Sequence, residues 1–123
     1  MSQYFDVGDE TLWNPSNGAA RLFLRTLRVY EEEVGLASGF GPMENDECQV
    51  DPAALEAFVN ALLAWHDRRS HHVIDALSWG FTATVLALAR RAGAEVRWPA
   101  HSERGWGVRV REWADELDGH LVH

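Results

Sequence analysis

The chain has 123 residues, 46% of them hydrophobic, with 11 Arg, no Lys, 19 acidic residues and a net charge of −8. That length fits one domain, and its apolar content excludes a disordered chain and allows a core without staples. The charge disfavours binding to nucleic acid, whose phosphates it repels, and the single Cys48 excludes an internal disulfide.

Residues 3–7 and 11–13 flank Gly8-Asp9-Glu10 and predict a short β-hairpin. Asn14-Pro15-Ser16-Asn17-Gly18 is turn and cap chemistry. The spacing of Ala20, Phe23, Leu27, Tyr30 and Val34 then predicts a helix over 17–34. Its charges run against its dipole: Arg21, Arg25 and Arg28 lie towards the start and Glu31, Glu32 and Glu33 at the end. Each misplaced charge costs about 0.3–1 kcal/mol at an exposed terminus. An Arg28–Glu32 pair would recover a few tenths of a kcal/mol, roughly.

Residues 35–50 read as a long acidic loop. Asp51-Pro52 is a cap followed by a first-turn proline, opening a helix to about 66 with Leu55, Phe58, Val59, Leu62 and Trp65 inward. A third helix is expected over 71–92, capped by Ser70 and apolar nearly all round, so central. Its weakly charged run, Val73–Ala89, falls short of the roughly 20 apolar residues of a membrane span. Residues 94–98 alternate as a strand stopped by Pro99. Beyond 106 two periods compete, and a short strand followed by a helix from about 110 to 118 is the expectation. The fold class is α+β: one helix-rich domain over 1–123, with an N-terminal hairpin, three to four helices and one or two C-terminal strands.

Charge is segregated. Between Arg28 and Arg68 no basic residue occurs, and Glu31, Glu32, Glu33, Glu44, Asp46, Glu47, Asp51, Glu56 and Asp67 all fall there. Such a belt suits a cationic partner protein, with Glu31, Glu32, Glu33, Glu44, Asp46 and Glu47 in contact and Trp13 as anchor. Size and charge match those of immunity proteins and antitoxins. A homodimer stays open, no membrane partner is expected, and the lone cysteine without a basic, apolar leader suggests the cytoplasm.

Two other chemistries compete. His66, Asp67, His71, His72 and Asp75 crowd ten residues, and Asp67, His71 and Asp75 at i, i+4, i+8 would stack on one continuous helix as ligands for a divalent metal. An enzyme would take His71 or His72 as base, with Asp46, Glu47 or Asp75 as partner. No cofactor is the first expectation and a divalent metal the alternative. Separately, Trp98, Trp106 and Trp113 could line a small-molecule site. Cys48 among carboxylates lacks the positive surroundings of a nucleophile and reads as structural.

Tyr4-Phe5-x-Val7-Gly8, Leu12-Trp13-Asn14-Pro15-Ser16-Asn17 and Gly41-Pro42-Met43-x-x-Asp46-Glu47-Cys48-x-x-Asp51-Pro52 together resemble an uncharacterised family of small acidic proteins from high-GC bacteria. The resemblance spans about residues 2–98 and leaves the last twenty-five looking appended. It implies that the hairpin, the turn and the acidic segment form one unit. It carries no activity and therefore no functional residue.

Overall fold

The computed structural model describes residues 1–69, 71–100, 102 and 105–121. Strands β1 (Tyr4–Val7) and β2 (Glu10–Trp13) form the expected hairpin. Helix α1 spans Asn17–Val34; Ser16 Oγ accepts from the Ala19 amide at 3.2 Å, and Gly35, at φ 79°, closes it with an N–H bond to Glu31 O. Both ends follow from local punctuation, an oxygen-bearing cap at the start and a left-handed glycine at the end.

Residues 35–50 are not a loop. They contain a second hairpin, β3 (Phe40–Glu44) and β4 (Glu47–Val50). Its turn residues Asn45 and Asp46 both have positive φ, 53° and 65°. That is the geometry of a tight two-residue hairpin turn, and Asn and Asp adopt it at the least cost after glycine. Gly39, at φ 88°, leads in; a Cβ there would stand 2.7 Å from Asp51 O, so only glycine fits.

The sheet order is β2-β1-β4-β3. The hairpins are antiparallel, but β1 and β4 run parallel, with Tyr4 opposite Glu47, Phe5 opposite Cys48 and Asp6 opposite Gln49. Helix α1 makes the crossover that a parallel pair requires. Phe5, Leu12, Phe40, Cys48 and Val50 are buried on the helix side. There Phe5 packs on Trp13, Phe23 and Phe40 at 5.4–5.8 Å between centroids. Each such ring contributes about 2–3 kcal/mol by leaving water. Tyr4, Glu47 and Gln49 are exposed on the other face.

Helix α2 (Pro52–Arg68) starts on Asp51, whose carboxylate accepts from Ala53 and Ala54. Helix α3 (His72–Arg91) is capped by His71, its Nδ1 accepting from the Val73 amide; the expected cap, Ser70, lies outside the described residues. By length and composition α3 could cross a bilayer. Its second half is packed in the core, but the first half is not buried all round: Val73 and Leu77 are exposed.

The C-terminal strands do not form among the described residues. Residues 94–99 have no regular secondary structure and bond to α2 side chains: Glu95 N–H donates to Glu56 Oε1, Asn60 Nδ2 donates to Glu95 O, and Arg97 N–H donates to Asn60 Oδ1. A side-chain ladder replaces the neighbour strand that alternation alone had implied. Helix α4 (Trp106–Leu121) then begins at Trp106, four residues before the expectation. The helical period of Trp106, Val110, Ala114, Leu117 and Leu121 prevails, because that face meets α3. Trp79 touches Trp113 and Arg91 bonds Asp118, so α3 and α4 run in the same sense.

Candidate functional site

The acidic belt divides on folding. Glu31 turns inward. Its Oε2 accepts from Ser38 N–H at 2.8 Å and Ser38 Oγ at 2.7 Å, and its Oε1 meets Arg28 Nη1 at 2.8 Å. Arg28 Nη2 also donates to Phe40 O at 3.2 Å. Burial pushes the Glu31 carboxyl up, but the hydrogen bonds from Arg28 and Ser38 outweigh it and hold the pKa below its ordinary value. Glu31 therefore latches the end of α1 to the entry of β3. Its carboxylate is engaged within the chain, with the side chain 17% exposed.

Glu44, Asp46 and Glu47 are exposed around the β3–β4 turn, with Glu44 directly opposite Glu47. The parallel pairing sets Glu47 beside β1, whose Tyr4 N–H donates to Asp46 O. A hollow of about 440 Å³ on this open face is lined by Tyr4, Asp6, Asp9, Thr11, Glu47 and Gln49. Asp6 is nearly buried and accepts from Thr11 Oγ1 at 2.7 Å. Three carboxylates thus line one concavity whose wall holds no basic residue. The sequence reading missed Asp6 and Asp9 here, since nothing local signals that β1 lies against β4. Glu32 borders a cleft with Gly35, Phe40 and Gly41, while Trp13 stacks on Phe5 and faces the helices.

The metal trio comes apart. α2 ends at Arg68 and α3 begins at His72, so Asp67, His71 and Asp75 share no continuous helix. His71 Nδ1 is engaged as a cap, and among the described residues no three His, Cys, Asp or Glu side chains are grouped to hold a metal ion. Nor does any hydrogen bond or ion pair among the described residues join His71 or His72 to Asp46 or Glu47.

The histidine with an unusual setting is His66. It is 0% exposed, its ring 4.2 Å from that of Trp106 and its Nδ1 3.6 Å from Asp75 Oδ1, beyond hydrogen-bond reach. Neither ring nitrogen has a hydrogen bond among the described residues. Burial pushes its pKa below the ordinary value against the pull of Asp75 and Asp67. It is a neutral core histidine, closed to substrate.

The three tryptophans separate too. Trp98 and Trp106 are 6.3 Å apart, with the Arg111 guanidinium 3.9 Å over Trp98. Trp113 instead packs on Trp79. Cys48 is buried, its Sγ donates to Gly41 O, and burial pushes the thiol up to about 11. Burial sets that value, and the charges that act on the thiol are Arg28, which lowers it, and Asp6, which raises it, not the carboxylates beside it in sequence.

One family model covers residues 1–122, hairpins and all four helices alike. The chain belongs to DUF6086, a family of unknown function. The match runs through α4, so the C-terminal helix is part of the family's fold and not an appendage. No curated protein and no solved structure matches the chain.

Proposed function

We propose that this is a small anionic binding protein, acting in the cytoplasm, that docks a cationic protein against its open sheet face. Asp6, Asp9 and Glu47 would form the floor of the contact, with Glu44 and Asp46 as its rim. In charge and size it is like the immunity proteins and antitoxins that neutralise basic toxins, an analogy of surface and not of motif.

One observation carries the reading. Glu44 and Glu47 face each other across a two-residue turn, beside Asp46 and next to a hollow with two further carboxylates. Like charges directly opposite on paired strands are destabilising, by about 0.2–1 kcal/mol. An arrangement that opposes its own stability, on an exposed face where any polar residue would serve, fits a surface kept for the charge it presents. A basic partner relieves that repulsion and is steered in by it.

The test is a charge reversal that spares the strained turn: Asp9→Arg, Glu44→Arg and Glu47→Arg together. Gently isolated from its own cells, the wild type should retain a protein of pI above about 9. The triple variant should fold with an unaltered circular dichroism spectrum and lose that protein. Retention of the same partner by the variant defeats the proposal.

A further inference from the structure

The apolar surface on the opposite side of the molecule has a separate logic. On α1, Leu22 (68% exposed) and Val29 stand seven residues apart; on α3, Val73, Leu77 (75% exposed), Gly80 and Thr84 continue at helical spacing. Between the helices runs a groove of about 460 Å³, lined by Leu22, Thr26, Gly80 and Phe81 and closed by Leu117 and Leu121 of α4. The hydroxyls of Thr26 and Thr84 donate back to Leu22 O and Gly80 O. Apolar stripes at this spacing are helix-packing seams.

Charge says what covers the seam. Arg28 and Glu31 are consumed by each other, Phe40 O and Ser38. Arg21, Arg25, Glu32 and Glu33 remain exposed, with no hydrogen bond or ion pair among the described residues. These are the charges that oppose the α1 dipole, positive at its start and negative at its end. An antiparallel copy of the same helix turns that liability into a match.

We propose that the chain forms a two-fold dimer in which α1 packs antiparallel on α1 of a second copy, with Leu22, Val29 and Leu77 in the seam. At about 1.5 Å rise per residue, an axis between residues 27 and 28 sets Glu32 of the second copy between Arg21 and Arg25, about 3 Å in height from each. All three lie on the same flank of the stripe, the flank that such an axis brings together. Glu33, four residues after Val29, continues the line of the stripe and comes level with Leu22 of the opposing α1, at the end of the seam. A parallel pairing would set Arg on Arg and Glu on Glu. The acidic hairpin does not oppose the contact, because no groove residue comes from β3 or β4.

Light scattering after size exclusion tests this, at micromolar concentration. The wild type should elute with twice the 13.9 kDa chain mass. Arg21→Glu with Arg25→Glu, and separately Glu32→Arg with Glu33→Arg, should each give a monomer. Their equimolar mixture should give a heterodimer, since each now complements the other at both ends, and all four changes in one chain should restore the homodimer. Leu77→Asp, at an exposed position, should give a monomer with an unchanged circular dichroism spectrum. A monomeric wild type overturns the proposal and leaves the groove to another occupant. Either reversed pair remaining dimeric, or a mixture that stays monomeric, also overturns it.

Discussion

Two polar side chains are drawn into this fold and met in opposite ways. Glu31, between α1 and β3, receives an arginine and two donors from Ser38. His66, between α2 and α4, receives an aromatic face, a carboxylate too distant for a hydrogen bond, and no hydrogen-bond partner among the described residues. The first stabilises because it is charged, the second because it stays neutral. A buried polar atom is costly in proportion to what it lacks, so Glu31 is the stronger tie and His66 the weaker one.

Breaking the stronger tie should have the largest effect. Glu31→Ala leaves the buried Ser38 amide and hydroxyl without their acceptor, and should cost about 2–3 kcal/mol in urea unfolding. Ser38→Ala removes one of the two donors and should cost about 1 kcal/mol. If Glu31→Ala is neutral, the latch is not what orders the entry to β3.

The two sites should also separate on the pH axis. The pKa of His66 is lowered on folding, so the unfolded chain takes up its proton more readily. The stability present above the ordinary value of 6.5 is therefore lost as pH falls through 6.5 towards the lowered folded value. That of Glu31 is lowered from 4.5, so its contribution persists into the acid range and is lost only as pH falls below 4.5. Melting temperature against pH should thus show two declines. His66→Phe should remove the upper one alone, and a curve that keeps it would assign that decline to another group.

Smaller effects sharpen the contrast. Cys48, buried with its thiol raised to about 11, should resist alkylation in the native protein at pH 8 and react promptly in denaturant. Fast native labelling would mean that β4 opens readily. Glu44→Arg should raise stability by about 0.5 kcal/mol, by turning a like-charged cross-strand pair into an attractive one, while weakening capture of the basic partner. A loss of stability there would remove the electrostatic support for the sheet face as a docking site.

The sequence was legible where control is local. Ser16, Gly35, Asp51 and Pro52 bound α1 and start α2 through contacts within a turn, and the structure has them where the pattern set them. It was opaque where control is distant. Pro42 and the shifted register after Phe40 hid the alternation of β3, so a hairpin read as a loop. The β1–β4 pairing joins segments with α1 between them, and so Asp6 and Asp9 looked unrelated to the acidic belt. At Trp106–Val110 both periods were present, and contact with α3 decided between them. The inward turn of Glu31 had no sequence signal, being one of three identical neighbours.

The parallel strand pair sets an order of events for a chain leaving the ribosome. β1 and β2 are four residues each, and a hairpin that short does not persist alone in water. Its other neighbour is made only after the whole of α1 and β3 has been synthesised. β1 is therefore made well before the strand that secures it, and its edge stays open to rival pairings until β4 arrives.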